Sequence, residues 1–475
     1  MTKELKHSCA VFSTFGPRDS SRLAHLGLYS LQHRGQESTG IVSSDGKQFF
    51  SHKAMGLVSD VYTPSVLNQL PGHLATGHNR YSTTGSTRIE NAQPMIVDYR
   101  KGKLAIAHNG NIVNAAGLRN ELERQGSVFQ TTMDTEVILH LVARSKEKTL
   151  PAMILEALSC VRGAYSLAIM TENQIFAGRD PFGFRPLTLG SVRSNPVVAS
   201  ESCAFDIIGG RLVREIEPGE LLLIDKNGQK SFRISRSVEQ ARCIFELIYF
   251  SRPDSIVFGE CVDTVRRNLG RTLASEAPAP CDIVIAVPDS SNSAALGFSE
   301  EASIKFELGL IRNHYVGRTF IHPKQKLRDL GVRVKYNAVR DILRGKRVAI
   351  VDDSVVRGTT SKKLIRMVRM AGAREVHFRV ASPQIIDPCF YGIDTPRRSE
   401  LIARNLSMKE LASFIGVDSM EYLSLEGLRN SVREPDKYCY ACFTGDYPVT
   451  PPKEFDKFSL ETAGRRKGAS VPSRK

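Results

Sequence analysis

Two adjacent carboxylates and a hydroxyl-rich loop form the clearest chemical pattern in this chain. Asp352 and Asp353 end an apolar run that begins at Val348. The loop that follows reads Ser354, Val355, Val356, Arg357, Gly358, Thr359, Thr360, Ser361. Carboxylates suit sugar hydroxyls or Mg²⁺, while backbone amides and hydroxyl groups at the start of a helix suit a phosphate. The pattern therefore predicts a site for a phosphorylated sugar that carries a diol.

The flanking elements would hold this loop at the edge of a sheet. The apolar run predicts a buried parallel strand, and the spacing of apolar residues between 362 and 370 predicts a helix. Such a loop lies at the carboxyl end of a strand, where open α/β sheets bind ligands. The alternative is a helix cap by Ser354 or Thr359, but a cap needs neither two aspartates nor three consecutive hydroxyls. The loop also lacks the Gly-x-x-x-x-Gly-Lys-Ser/Thr pattern of a Walker A motif.

This segment resembles the signature of the type I phosphoribosyltransferases, which bind phosphoribosyl pyrophosphate (PRPP). The resemblance implies that Asp352 and Asp353 bind the 2- and 3-hydroxyls of the ribose. It also implies that Ser354 to Ser361 bind the 5-phosphate. The motif is specific for this ligand but does not identify the nucleophile that attacks it.

A second reactive group lies near the start of the chain. Cys9 begins the run Cys-Ala-Val-Phe-Ser, which predicts a strand. Removal of residues 1–8 as a propeptide would free the amine of Cys9, and an α-amine is a suitable general base at cellular pH. The alternative is a buried core cysteine, which is the commoner role of a lone Cys.

Four later residues favour the nucleophile. Arg80 offers a fork for a carboxylate, and Asp134 offers a partner for an ammonium group. Asn109 and the backbone amide of Gly110 could form an oxyanion hole. Each has a structural alternative: a surface ion pair for Arg80, a type I′ turn for Asn109 and Gly110, and a helix N-cap for Asp134.

Together with Cys9, these residues resemble the class II glutamine amidotransferase domain, an N-terminal-nucleophile hydrolase. The resemblance covers about Cys9 to Ser235 and implies a four-layer αββα sandwich that hydrolyses glutamine to glutamate and ammonia. The resemblance to the type I phosphoribosyltransferases implies that a domain with a parallel sheet follows at 236–445, so that the chain would combine α+β and α/β folds. Residues 446–475 form a C-terminal extension.

Over nearly its full length the chain resembles the amidophosphoribosyltransferase family. The resemblance implies that ammonia released at Cys9 is channelled to C1 of PRPP, which gives 5-phosphoribosylamine and pyrophosphate in the first committed step of purine synthesis. Val287 to Ser293 would bind pyrophosphate, and Ser290 would join Asp352 and Asp353 around Mg²⁺. The stretch 315–339 would form a mobile lid, or otherwise a solvated basic loop. Its basic residues are Arg318, Lys324, Lys326, Arg328, Arg333 and Lys335.

Nine cysteines without a secretory signal argue against a disulfide framework. Cys439 and Cys442 form a Cys-x-x-Cys pair, a spacing shared by zinc, redox and iron–sulfur sites. The resemblance adds Cys243 and Cys389, so that the four would hold one 4Fe-4S cluster, with tetrahedral zinc as the alternative. The others are expected in the core: Cys160, Cys203, Cys261 and Cys281.

Charge and composition limit the possible partners. The formal charge is +15, but five basic residues of the excess lie in the tail 464–475, which we expect to be disordered. This location argues against dedicated nucleic-acid binding. No run of about 20 apolar residues is present to span a bilayer, and the first residues lack the apolar run of a signal peptide, so we expect a cytoplasmic enzyme that does not bind membranes. The family resemblance further implies a homotetramer and feedback inhibition by purine nucleotides.

Two other classes of protein share parts of these patterns. A glutamine-dependent sugar aminotransferase would share the first half but would lack Asp352, Asp353 and their loop. A regulatory protein that binds DNA could keep a PRPP pocket, but it would not need Cys9 followed by the glutaminase residues.

Overall fold

The computed structural model describes residues 9–81, 88–234, 239–313, 335–395, 397–451 and 460. The predicted propeptide 1–8 and tail 464–475 lie outside these residues. So do five basic residues of the predicted lid, which are Arg318, Lys324, Lys326, Arg328 and Arg333. The chain forms two compact units. The N-terminal unit comprises the described residues of 9–242, 390–394 and those from 447 onward, and the C-terminal unit comprises those of 243–389 and 395–446.

The N-terminal unit contains two antiparallel sheets. The first has the order β11-β9-β10-β1-β4-β2-β3. Its strands are β1 (Ala10–Phe15), β2 (Ser38–Ser44), β3 (Phe49–Met55), β4 (Leu74–Arg80), β9 (Thr188–Val192), β10 (Asn195–Ala199) and β11 (Arg211–Glu215). The second has the order β13-β12-β8-β7-β6-β5. Its strands are β5 (Met95–Tyr99), β6 (Gly102–Ile112), β7 (Gly163–Met170), β8 (Ile175–Arg179), β12 (Glu220–Asp225) and β13 (Gly228–Arg233).

The sheets pack face to face, with helices on their outer faces. A small cluster of Val11, Ala107 and Ala168 lies between β1, β6 and β7, and these short side chains let the inner strands approach. The helices are α1 (Ser20–Ser30), α2 (Val58–Val61), α3 (Pro64–Asn68), α4 (Ala115–Arg124), α5 (Thr135–Arg144), α6 (Leu150–Cys160) and α7 (Cys203–Asp206), with a 3₁₀ turn at Ile89–Asn91. Helix α1 covers the first sheet, and α5 and α6 cover the second. The predicted αββα sandwich is confirmed.

The C-terminal unit is built on a parallel sheet with the order β17-β20-β21-β22. These strands are β17 (Ile283–Ala286), β20 (Arg347–Asp352), β21 (Glu375–Val380) and β22 (Ser419–Tyr422). Shorter strands are β14 (Arg242–Cys243), β15 (Ile256–Val257), β16 (Glu260–Cys261), β18 (Leu310–Arg312), β19 (Tyr336–Ala338) and β23 (Tyr438–Cys439). Residues 348–351 are fully buried because β20 is flanked by two strands and covered by helices. The predicted buried parallel strand is confirmed.

Helices cover this sheet and hold its loops. They are α8 (Val262–Glu276), α9 (Asn292–Ala302), α10 (Arg340–Leu343), α11 (Thr359–Met370), α12 (Ile402–Asn405), α13 (Met408–Ile415), α14 (Leu425–Asn430) and α15 (Ala441–Thr444). A π-helical turn spans Glu246–Phe250, and 3₁₀ turns span Arg398–Glu400 and Pro435–Lys437. Helix α11 contains the helix predicted over 362–370. Among the described residues, no helix combines the length and the apolar character that crossing a bilayer demands.

Candidate active sites

Cys9 lies at the end of the first sheet of the N-terminal unit. Strands β1 and β4 are antiparallel with Ala10 opposite Asn79, so Cys9 and Arg80 come to the same end of the strand pair. The Cys9 thiol donates to the carbonyl oxygen of Tyr81 at 3.4 Å. Burial raises the pKa of this thiol, although the nearby Arg80 guanidinium opposes the rise. Cys9 is buried, as the core alternative requires, but it lies among charged side chains.

Arg80 does not form the surface ion pair that was one interpretation of the sequence. Its side chain is 1% exposed, one terminal nitrogen lies 3.4 Å from Met133 Sδ, and the other lies 3.9 Å from a carboxylate oxygen of Glu37. That interpretation is wrong because β4 places the guanidinium inside the sandwich. Burial also lowers the pKa of Arg80. A carboxylate ligand would therefore meet a largely desolvated cation.

Asp134 is the N-cap of α5, as the structural alternative predicted. Its Oδ1 accepts from the Thr135 amide at 2.9 Å, and its Oδ2 accepts from the Ile112 amide at 2.9 Å. Oδ1 also accepts from the Thr135 hydroxyl at 3.3 Å, so the acceptor capacity left for an ammonium group is mainly on Oδ2. The cap and the binding role are therefore compatible.

Asn109 and Gly110 lie within β6, opposite Ser166 and Tyr165 of β7. The type I′ turn interpretation is wrong because this dipeptide pairs in the interior of a sheet. A Cβ on Gly110 would lie 2.0 Å from the Ala164 carbonyl oxygen, so only glycine fits here. Asn109 is fully buried, and among the described residues neither its side-chain nitrogen nor its oxygen has a hydrogen-bond partner. An unpartnered buried amide is available to a bound ligand.

These residues gather around Cys9. The charges of Arg80, Glu37 and Asp134 all act on its thiol. Asp134 also contacts β6 on both sides of Asn109 and Gly110. Its Oδ2 accepts from the Ile112 amide, and its Oδ1 lies 3.8 Å from His108 Nδ1. The structure therefore brings the predicted glutaminase residues into one neighbourhood.

Two buried histidines behind this neighbourhood were not singled out from the sequence. His78 Nε2 lies 3.0 Å from the His108 carbonyl oxygen, and burial lowers the pKa of His78 to about 3. The neutral ring therefore donates from Nε2 and ties β4 to β6. His108 Nδ1 lies 3.0 Å from Thr135 Oγ1. Their positions in the motifs Gly-His-Asn-Arg and His-Asn-Gly-Asn were the available signal.

A buried ion pair supports Cys9 from the other side. Arg34 Nε donates to the Cys9 carbonyl oxygen at 3.1 Å, and a terminal nitrogen of Arg34 lies 2.5 Å from Glu201 Oε1. His33 Nε2 lies 2.8 Å from the same oxygen. These two partners hold the pKa of Glu201 well below its usual range despite complete burial. The motif Gln-His-Arg-Gly at 32–35 was an available signal for His33 and Arg34, but nothing in the sequence indicated Glu201.

The second site is a pocket at the carboxyl ends of β17 and β20 in the C-terminal unit. It contains every predicted residue of the phosphate loop, both aspartates and Ser290. Its lining is Tyr249, Val287, Ser290, Lys335, Tyr336, Asp352, Asp353, Ser354, Val355, Val356, Arg357, Gly358, Thr359, Thr360 and Ser361. Tyr249 comes from the π-helical turn, a conformation often found at functional sites. Arg266 fixes this turn, since its guanidinium donates to the carbonyl oxygens of Leu247 and Ser251 at 2.9 and 2.8 Å.

The two carboxylates share a hydroxyl donor. Ser291 Oγ lies 3.1 Å from Asp352 Oδ1 and 3.3 Å from Asp353 Oδ2. The Ser290 hydroxyl also bonds Asp353, and burial raises the pKa of that carboxyl. Ser290 was predicted and Ser291 was not, because adjacent serines in a loop give no signal that both hydroxyls reach the carboxylates.

The phosphate loop leads directly into α11. Gly358 occupies the N-cap position with φ +67°, and no side chain caps the helix. The interpretation of Ser354 or Thr359 as a cap is therefore wrong, and their hydroxyls remain on the pocket wall. The Arg357 guanidinium is 2.9 Å from Glu400 Oε1. The loop thus places a helix start and three hydroxyls around one concavity.

The four predicted cluster ligands come together within the C-terminal unit. Burial and the charges of Cys439, Cys389 and Cys243 together raise the pKa of the Cys442 thiol well above its usual range. In the part of the chain that the structure describes, no three His, Cys, Asp or Glu side chains are arranged so that they could hold a single metal ion.

Cys203 is buried as expected. The core prediction is wrong for Cys160 and Cys261, which are exposed at helix ends, and for Cys281, which is half-buried.

Comparisons with known proteins find a matching domain family, similar proteins and a similar solved structure. Residues 78–206 match the model of a glutamine amidotransferase domain. The chain is 51% identical over 452 residues to amidophosphoribosyltransferase 2, chloroplastic, of Arabidopsis thaliana, covering 94% of this chain and 81% of that protein. It is 49% identical over 453 residues to the Bacillus subtilis (strain 168) amidophosphoribosyltransferase, covering 94% and 95%. The solved glutamine PRPP amidotransferase from B. subtilis, complexed with ADP and GMP, matches with a TM-score of 0.90 at 47% identity, covering 95% of this chain and all of that one.

Proposed function

This chain belongs to the amidophosphoribosyltransferase family, and we propose that its two sites divide the reaction of that family between them. The enzyme converts glutamine, PRPP and water to 5-phosphoribosylamine, glutamate and pyrophosphate in purine synthesis. The N-terminal unit releases ammonia from glutamine, and the C-terminal unit transfers it to C1 of PRPP. The observation that carries this division is the pocket in which Asp352 and Asp353 face the whole phosphate loop.

In the glutaminase site, Cys9 Sγ attacks the amide carbon of glutamine. The thiol proton passes to the α-amine of Cys9, which removal of residues 1–8 would free, and then to the departing nitrogen as ammonia leaves. Water hydrolyses the resulting thioester to glutamate. Arg80 binds the substrate carboxylate and Asp134 binds its ammonium group. The burial of both charges supports these roles, since a desolvated ion favours a charged partner.

Asn109 and Gly110 stabilise the charge that develops during this attack. The Asn109 side chain has no partner in the structure, so its NH₂ group is free to donate to the oxyanion. The Gly110 amide would supply the second donor. Donors that are already in place cost no reorganisation at the moment of reaction.

In the transferase site, Asp352 and Asp353 bind the ribose hydroxyls while Ser354 to Ser361 bind the 5-phosphate. The start of α11 favours negative charge, and Thr359, Thr360 and Ser361 add hydroxyl donors. Ser290 and Ser291 lie in the middle of the segment 287–293, which would bind pyrophosphate, and beside the two carboxylates. Ammonia then attacks C1, and the C1–O bond to pyrophosphate breaks.

The same carboxylates suit Mg²⁺. Magnesium is often held by one or two carboxylates and completed by water and substrate phosphates, which matches two aspartates with a serine hydroxyl. When bound, it would neutralise charge on the pyrophosphate leaving group. Burial raises the pKa of Asp353, and a divalent cation would compensate this loss of solvation.

Cys243, Cys389, Cys439 and Cys442 would hold one 4Fe-4S cluster. The donor set supports this assignment, because four neighbouring thiols in a partly buried site need a positive group to stay deprotonated together. These four cysteines would supply the four thiolates that such a cluster requires. The cluster would stabilise the fold by joining three distant segments of chain. Zinc remains the alternative occupant.

Purine nucleotides fit the transferase pocket because they carry a ribose 5-phosphate. We propose that they inhibit this chain in competition with PRPP, and that the enzyme assembles as a homotetramer in the cytoplasm. Competition is tested by steady-state inhibition with AMP or GMP at varied PRPP concentration. Assembly is tested by measuring the molar mass with light scattering after size-exclusion chromatography. A noncompetitive pattern or a monomer would contradict these two proposals.

The division of roles is tested by the double variant Asp352→Asn, Asp353→Asn. We expect it to abolish pyrophosphate release with either glutamine or ammonium, because the ribose loses both acceptors, while basal glutamate release continues. Asp282→Asn is the matched control, since Asp282 pairs with Arg347 at the opposite end of β20. Pyrophosphate release by the double variant with ammonium at the wild-type rate would contradict the proposal.

A further inference from the structure

A five-residue segment far along the chain lies against the oxyanion-hole strand. Residues 390–394 belong to the N-terminal unit, although the residues before and after them belong to the C-terminal unit. Asn111 Nδ2 donates to the Phe390 carbonyl oxygen at 2.8 Å. Asn111 follows Gly110 directly on β6. The segment therefore contacts the strand next to the proposed oxyanion donors.

The contact at Gly392 is closer still. A Cβ on Gly392 would lie 3.0 Å from both the Cα and the carbonyl carbon of Gly110, and 3.1 Å from its oxygen. On its other side Gly110 already meets the Ala164 carbonyl oxygen. Gly110 is thus held between β7 and the 390–394 segment, and its backbone has little room to shift.

The segment itself is firmly attached. The Tyr391 ring stacks on Phe184 with a centroid distance of 4.2 Å, and Arg185 Nε donates to the Tyr391 carbonyl oxygen at 3.1 Å. The Tyr391 hydroxyl donates to the Val449 carbonyl oxygen at 2.5 Å. Tyr391 and Ile393 are buried. Such anchoring lets the segment act as a rigid support for β6.

We propose that residues 390–394 are a positioning segment for the glutaminase, with Gly392 fixing the backbone of Gly110 and hence the second oxyanion donor. The inference rests on the proposed roles of Asn109 and Gly110. Small displacements of a donor are expensive in catalysis, because stabilisation depends on where the charge develops. The segment does not touch the reacting atoms, so its loss should slow turnover more than it weakens glutamine binding.

The test is Gly392→Ala in the full-length enzyme. The added methyl must displace Gly110, so we expect glutaminase kcat to fall at least tenfold while KM for glutamine changes less than threefold. Ammonium-dependent pyrophosphate release and the alkylation rate of Cys9 by iodoacetamide should stay within twofold. Gly126→Ala is the matched control, because Gly126 has a similar φ of +90° but no heavy atom within 4 Å of its Cβ position. Gly126→Ala should leave glutaminase kcat, KM for glutamine, ammonium-dependent pyrophosphate release and the alkylation rate of Cys9 all within twofold of the wild type.

A second variant keeps the test decisive if Gly392→Ala does not fold. Asn111→Ala removes the bond to Phe390 without adding atoms, and we expect a threefold or greater loss of glutaminase kcat with ammonium-dependent activity retained. The inference would be overturned if Asn111→Ala kept full glutaminase turnover and Gly392→Ala did either of two things. It could keep full turnover as well, or it could lose glutaminase activity and ammonium-dependent activity in parallel. If Cys9→Ala still used glutamine, the proposed function itself would fail. If Cys9→Ala lost glutaminase activity but Gly392→Ala and Asn111→Ala kept it, only the positioning role would fail.

Discussion

Replacing Asn109 should separate catalysis from stability in the glutaminase site. Both polar atoms of this fully buried side chain lack partners, so the amide does little for the resting fold. Removing one oxyanion donor typically costs about 2.7–4 kcal/mol of transition-state stabilisation, or about a 10²- to 10³-fold loss of kcat. We therefore expect Asn109→Ala to lose glutaminase turnover by about this factor.

The same structure predicts a small effect on folding. An unpartnered buried polar group costs about 1–3 kcal/mol, and alanine removes that cost. The cavity left behind opposes this gain. The free energy of unfolding should therefore change by no more than about 1 kcal/mol, because the two effects are of similar size.

The assay follows glutamate release, ammonium-dependent pyrophosphate release and denaturant unfolding for the wild type and two variants. Asn109→Asp is the control of nearly equal shape: its carboxylate cannot donate and would repel the oxyanion, so its loss should equal or exceed that of alanine. The reasoning is refuted if Asn109→Ala keeps glutaminase kcat within threefold. It is also refuted if ammonium-dependent activity falls in parallel.

Two further predictions concern Cys9 and the four-cysteine site. Burial raises the pKa of Cys9, so the thiolate fraction is small at neutral pH, and the rate of inactivation by iodoacetamide should keep rising with pH from 7 to 9. A plateau below pH 8 would contradict this, and His78, with a pKa of about 3, should add no transition above pH 5. Protein purified without oxygen should contain about four iron and four acid-labile sulfide atoms per chain. Cys442→Ser should lower both contents, whereas zinc without sulfide would show that the cluster assignment is wrong.

Local sequence patterns predicted the strand, loop and helix that form the proposed transferase site. The apolar run before Asp352 and the helical spacing after Ser361 specify a strand, a loop and a helix that are contiguous in the chain. Such a site needs little long-range information. The loop sequence did not reveal that Ser291 reaches the carboxylates as well as Ser290, since this depends on the direction of each side chain.

The geometry of the proposed glutaminase site was harder to predict because distant strands build it. Asn109-Gly110 is a common turn dipeptide, yet pairing with β7 holds it in a strand. The sequence alone allowed Arg80 to be a surface residue, but the packing of the two sheets buries it. Glu201 and the 390–394 segment carried no local signal, since their roles arise only from contacts with residues far away in the chain.

The most direct test of the two-site account is Cys9→Ala, assayed for pyrophosphate release with glutamine and with ammonium separately. The account predicts that glutamine no longer supports release, because no nucleophile remains to free ammonia. It predicts that ammonium still does so at the wild-type rate, because the transferase pocket is unchanged. Loss of activity with both nitrogen sources, or persistence of activity with glutamine, would contradict it.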